Sequence, residues 1–336
     1  MEEKSGLESF SDILETAVTG VPAPIRKNFW KAFGQLCTAA VDVPVAYLEG
    51  KADEFRAVAA ARRSILEKGG QGLAENMQVP QEYADKAAAK YIGRILKEQI
   101  NIDQIVQKAA KQVQEEGQNT ASEKTESTEE ISDDWLQEFE SIARLKSSED
   151  MQEAFAKILC GEILKPGRFS IRSIRLMSQL DNHAANAFQR LVSCTFQLEY
   201  KNRILDQRVF AMGTQPAANG LRKYGLSFSD LNVLHEYGLI IGDYNSYNDY
   251  SVSILREKNF ILVPIVYGKS QSFAFKMKNE KGAIPEELRV HGIAYSKAGK
   301  ELFSVVTVEP NMEYLADVLK FYSEQSLQLV PIKLEN

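Results

Sequence analysis

Apolar residues recur at three- and four-residue steps through the first two thirds of the chain and then change period. Between residues 7 and 113 the sequence is alanine-rich with helical spacing. Phe29, Trp30, Phe33, Leu36, Cys37 and Ala40 share one helical face. Pro22 and Pro24 precede that helix, and Pro44 ends or kinks it. Ala46–Lys68 consists largely of strong helix formers and stops at Gly69-Gly70. After Pro80, the spacing of Tyr83, Ala87, Tyr91, Ile95 and Ile102 predicts a helix over about 81–114.

Residues 133–204 carry the clearest pattern. Trp135, Leu136, Phe139, Ile142 and Ala143 mark one helix. Ser148 caps a second, with Met151, Phe155, Ile158, Leu159 and Ile163 on its apolar face, and Pro166-Gly167 stops it. Ser170 opens a third with Ile171, Ile174, Met177 and Leu180. A fourth is expected over about 182–204, with Ala184, Ala187, Phe188, Leu191 and Val192. Short connections between such helices predict a compact helical core.

Beyond residue 205 the elements shorten. Ser227 to Asp230 opens a short helix closed by Gly238, and Leu239-Ile240-Ile241 comes next as a short strand. Asn259–Tyr267 predicts a strand in which Pro264 demands an edge or a bulge. Gln271–Met277 and Val290–Tyr295 predict further strands. Ala298–Val306 and Met312–Tyr322 predict helices, and Leu327–Leu334 a last strand. No solenoid repeat is present. The expected fold is therefore mainly α: an N-terminal helical region (1–114), a disordered acidic linker (115–132), a helical core (133–204) and a small C-terminal α+β domain (205–336). In one reading that last domain is winged-helix-like.

Charge sharpens the division. The chain has 336 residues and a formal net charge of −6, and residues 114–132 alone hold six acids and one base. The flanking regions are close to neutral, which disfavours a domain that coats nucleic acid by charge. The acidic, polar N-terminus has no signal-peptide pattern, and no run approaches the ~20 apolar residues of a membrane span. The cytoplasm is the expected location.

Candidate chemistry is sparse. Three cysteines and three histidines are scattered, so neither a disulfide framework nor a metal site is implied. Phosphate-binding loops, nucleophile elbows and zinc-protease motifs are absent. No cofactor, metal or catalytic residue is assigned. Arg168, Arg172 and Arg175 form the most suggestive polar set, at the start of a helix where guanidinium groups hold phosphate or carboxylate. Ion pairs with Glu162 or Asp181 are the favoured alternative. The segment Lys223–Ile241, read as part of a winged helix, offers only Asn232, His235 and Glu236 to a DNA groove, so protein contact is preferred. Phe29-Trp30-Lys31-Ala32-Phe33, after Arg26-Lys27, suits a membrane surface or, preferably, a bundle helix.

The residues Trp135 to Phe139 and the run Ser148 to Arg175, with its Leu159-Cys160-Gly161-Glu162-Ile163 and Pro166-Gly167 core, resemble a bacterial family, domain of unknown function 2806 (DUF2806). Gln99 to Ile105 and Ala109-Ala110 are similar to the same family. The resemblance extends from about residue 20 to 325 and transfers no catalytic residues. A weaker likeness links the core to the abortive-infection alpha proteins of bacterial phage defence, which implies a role in defence or stress response. The function expected is a non-enzymatic interaction protein acting through helical faces, as a homo-oligomer built on residues 25–113 or with a protein partner. A winged-helix-like DNA-binding regulator is the alternative.

Overall fold

The computed structural model describes residues 19–37, 81–120, 129–201, 203–213, 220–256, 261–268, 271–279 and 283–333. The expected Ala46–Lys68 helix lies outside them. The chain forms two compact units, Met1–Arg175 and Leu176–Asn336.

The first unit is helical. It contains α1 (Ala23–Leu36), α2 (Gln81–Thr120), α3 (Asp133–Ala143) and α4 (Glu149–Leu164), and α5 (Ile171–Gln179) runs across the boundary. Pro24 sits in the first turn of α1, where a missing N–H costs no helical bond. Phe29, Trp30 and Phe33 are buried and meet edge-on, with Trp30 5.3 Å from Phe29 and 5.9 Å from Phe33. The aromatic run is thus bundle core, not membrane surface. Ile102, Ile105, Val106, Ala109, Ala110 and Val113 of α2 are buried where α2 packs along α4. Phe139 of α3 meets Trp135 at 5.2 Å and Phe155 of α4 at 5.7 Å.

Part of the expected linker is ordered, and its residues 121–128 lie outside the described residues. Residues 115–120 continue α2. Residues 129–131 are held down: Asn28 donates to the Glu129 carbonyl at 3.1 Å and accepts from the Ile131 N–H at 3.2 Å, and Ile131 is fully buried. The side chain of one helix satisfies backbone groups that the acidic composition had suggested water would satisfy. The two compact units divide after Arg175.

The second unit overturns the expected fold class. It is built around a seven-stranded antiparallel sheet curled into a half-barrel, so a mainly α fold with a small C-terminal α+β domain does not hold. After α6 (Asn182–Ser193) come β1 (Phe196–Tyr200), β2 (Arg203–Phe210), α7 (Phe228–Glu236), β3 (Tyr247–Asp249), β4 (Ile265–Tyr267), β5 (Gln271–Met277), β6 (Arg289–Ala294), α8 (Lys297–Phe303), α9 (Met312–Ser323) and β7 (Leu327–Ile332). The strand order is β3-β6-β2-β1-β4-β5-β7. The fourth predicted helix stops at Ser193, and its expected tail is β1. Leu198 pairs with Asp206 and Glu199 with Ile204, leaving Leu205 as the extra residue of a bulge.

Aromatic side chains fill the sheet's inner face. Phe196 stacks on Phe210 at 4.3 Å and lies 4.5 Å from Tyr267. Tyr314 and Tyr322 of α9 come in over them, Tyr314 donating to the Phe210 carbonyl at 2.9 Å and Tyr322 meeting Phe275 at 5.1 Å. Ser227 and Asp230 cap α7 reciprocally, and Gly238 ends it at φ +71°. The segment after α7 is not a wing. Ile240 makes a single bridge to Tyr295, and β3 pairs with β6, so neither forms a hairpin with its neighbour. Of the strand expected over 259–267, residues 259–260 lie outside the described residues, and within 261–267 only Ile265–Tyr267 forms a strand. Pro264, which has no N–H, instead offers its carbonyl to the Glu199 N–H at 3.2 Å.

Candidate functional site

The three arginines do not form one site. Arg175 is spent on Glu138, its Nε 2.7 Å from Oε1 and its Nη2 2.9 Å from Oε2. The hydrogen bonds from Arg175 hold the Glu138 carboxyl below its ordinary value. Arg168 is exposed, its guanidinium carbon 5.5 Å from the Phe169 ring centroid. Arg172 is exposed, with no side-chain partner among the described residues. An ion pair does hold Arg175, but neither Glu162 nor Asp181 supplies it.

Glu162 has other work. It is 2% exposed and accepts the Gly167 N–H at 2.6 Å and the Phe169 N–H at 3.0 Å. The Phe169 carbonyl in turn accepts from Trp135 Nε1 at 2.7 Å. A Cβ on Gly161 would lie 2.7 Å from Phe169 Cε2, so only glycine lets this ring close over α4. The Gly161-Glu162…Pro166-Gly167…Phe169 core is therefore a corner that fixes the chain after α4. Its Glu162, Phe169 and Trp135 groups bond to the corner itself.

The second unit holds a charged cluster that the sequence pattern did not reveal. Asp206 and Arg208 are both buried, and Arg208 donates Nε and Nη2 to the Asp206 carboxylate. Its Nη1 reaches the carbonyls of Ser246 at 2.8 Å and Val290 at 3.1 Å, and Tyr250 donates to Asp206 at 3.0 Å. Burial, with Asp206 beside it, pushes the Tyr250 hydroxyl well up. Two charges two residues apart on a strand, just before the apolar Val209-Phe210, were the available signal. Every guanidinium nitrogen has an acceptor, so the cluster is closed on itself.

The remaining candidates are also internally engaged. Asn232 accepts from Tyr244 at 2.9 Å, and His235 lies against Gly242. Asp181 caps α6 through the Ala184 N–H at 2.7 Å, and His183 stands 3.3 Å from Asp230. A groove of about 450 Å³ in the first unit runs between Gln104, Gln107, Lys108 and Lys111 of α2 and Ser147, Glu149 and Gln152. Its Gln104 and Gln152 bond each other at 2.8 Å, and Lys108 lies 3.6 Å from Glu149. Burial pushes the Cys194 thiol up to about 12 and raises Cys37 and Cys160 as well, so these thiols stay protonated at neutral pH. Among the described residues no group of three His, Cys, Asp or Glu side chains is placed to hold a metal, and no helix is long and apolar enough to cross a membrane.

The family model described as "Protein of unknown function (DUF2806)" matches residues 87–319, more than two thirds of the chain. The chain belongs to the DUF2806 family. The match takes in the buried half of α2, the α4 corner and the Asp206–Arg208 cluster. No curated protein and no solved structure matches the chain.

Proposed function

We propose that this DUF2806 protein is a non-enzymatic interaction protein that associates with a second copy of itself through the N-terminal half of α2. The observation that carries the reading is the contrast within that helix. At 1.5 Å per residue its 40 residues extend about 60 Å. Ile102 to Val113 form a buried stripe, whereas no described side chain from Glu82 to Ile100 is buried. Tyr91, Leu96 and Ile100 are each about half exposed or more, at 50, 52 and 54%. Leu96 and Ile100, one turn apart, share a face that suits a partner helix, whereas Tyr91 lies across the helix from Ile100. Charge favours a second copy. In an antiparallel pairing centred between Ala89 and Lys90, Glu82 lies opposite Lys97 at each end.

The closed polar clusters and protonated cysteines support a role without chemistry. The likeness of the Leu159-Cys160-Gly161-Glu162-Ile163 and Pro166-Gly167 core to abortive-infection alpha proteins supports phage defence or a related stress response as its setting. The full chain is expected to sediment as a dimer at micromolar concentration. Leu96→Glu and Ile100→Glu together are expected to leave a folded monomer. A wild-type monomer, or a double variant of unchanged mass, refutes the reading.

A further inference from the structure

Inside its helices this protein places glycine where something must come close. A Cβ on Gly117 of α2 would lie 3.2 Å from Val21 Cγ2, one on Gly161 of α4 would press on Phe169, and one on Gly299 of α8 would run into the Leu239 carbonyl. In each case a neighbour fills the room that the missing side chain leaves. Gly34 has open space around it, but it lies in the last turn of α1, where helices fray.

Gly93 fits neither account. It stands more than three turns inside α2, far from both ends. Its backbone is not left-handed. It is exposed, and a Cβ there would meet nothing within 4 Å among the described residues. Alanine would serve the helix better at such a position. Helical spacing puts Lys86, Gly93 and Ile100 on one stripe, seven residues apart, with Leu96 beside it. The unfilled glycine therefore lies on the same face as the two exposed apolar side chains.

We propose that Gly93 is a recess that receives a second copy's α2 and makes the pairing selective for self. The inference rests on the self-association proposed above and adds how the two helices fit. In the antiparallel pairing centred between Ala89 and Lys90, Gly93 lies one turn from the two-fold axis, and position 86 of the second copy comes opposite it. A lysine suits that place. Its methylene stem can lie in the recess while the ammonium stays in water beside Glu82, the partner it already has at 2.5 Å. The two-fold axis supplies the recess twice, once from each copy. Small residues at a crossing let helices approach closely, so a helix with a bulky side chain in place of Gly93 is held off.

The test is sedimentation equilibrium of the full chain and its variants, with helix content read by far-ultraviolet circular dichroism. Gly93→Leu is expected to weaken dimerisation at least about tenfold with helix content undiminished, because the side chain occupies the recess. On a face that is merely apolar, the same leucine would add area and tighten the dimer. Gly93→Ala, a better helix former, is expected to weaken dimerisation in the same direction but less. Dimerisation unchanged or tightened in Gly93→Leu overturns the proposal, and so does dimerisation unchanged in Gly93→Ala. Either result, alongside a dimeric wild type and a monomeric Leu96→Glu, Ile100→Glu variant, removes the recess and leaves the self-association standing. A monomeric wild type overturns both.

Discussion

Each unit buries a carboxylate, and they satisfy it in opposite ways. In the helical unit Glu162 takes two backbone N–H groups from the turn just beyond its own helix. In the sheet unit Asp206 takes a guanidinium from Arg208 and a hydroxyl from Tyr250. The difference arises from where backbone donors are free. The turn after a helix leaves N–H groups, such as those of Gly167 and Phe169, that seek acceptors. Inside a sheet the ladder has already used them, so a buried charge must be met by side chains. A helix terminus therefore holds a buried acid with backbone N–H groups, as the Ser227 N–H also holds Asp230 in the second unit, whereas a sheet strand needs a second buried charge, and the two should fail differently.

The largest expected effect is on the sheet side. Arg208→Met strands Asp206 and is expected to cost about 3–5 kcal/mol, because a buried charge without its partner is far worse than no charge. Adding Asp206→Leu is expected to restore much of the loss. Urea titration followed by the near-ultraviolet signal of the tyrosine cluster reads both, and equal midpoints for the single and double variants would break the comparison. A smaller effect is expected at the helical corner. Gly161→Ala pushes a methyl group against Phe169 and is expected to cost about 1–3 kcal/mol. Tryptophan emission reads this unit, since Trp30 and Trp135 both lie in it.

The smallest effect is acid sensitivity. The Ala184 N–H holds Asp181 below the ordinary carboxylate value of 3.8, and the Lys223 ammonium does the same for Asp317. Their stabilisation is present above the unfolded value and is lost as pH falls through the folded one. In the helical unit burial raises Asp103, which gives the opposite sign and offsets the acid loss at Glu138. Between pH 5 and 3 (a range set by the ordinary carboxylate values) the tyrosine signal is expected to weaken before tryptophan emission shifts. Simultaneous loss would remove the contrast.

The helices were legible because their apolar spacing and stop signals agree. Ser148 and Pro166-Gly167 bracket α4, and Asn311 opens α9 where the period predicts. β5, β6 and β7 were legible from their alternation, as at Gln271–Met277, whereas β3 was not expected and the strand expected at Leu239-Ile240-Ile241 is a single bridge. β1 was lost because nothing between Ser193 and Phe196 breaks a helix, so the alternation of Phe196, Leu198 and Tyr200 was absorbed into the preceding period. β2 was lost for another reason: Asp206 and Arg208 face inward, and a pattern that counts charges as outward cannot place them. Of the candidate residues, the Arg175 ion pair was legible in kind but not in partner, since Glu138 lies 37 positions away on a different helix.

The half-barrel is not closed, and its two rims differ from a bare strand edge. At one rim β3 is three residues long, and the Asp249 N–H is turned to Asn248 Oδ1 at 2.9 Å. At the other, β7 carries Pro331, which has no N–H to offer a further strand. A sheet so finished gives an incoming chain no continuous ladder to extend. The molecule can crowd its tyrosines into an open barrel and still resist fibril-like growth from either edge.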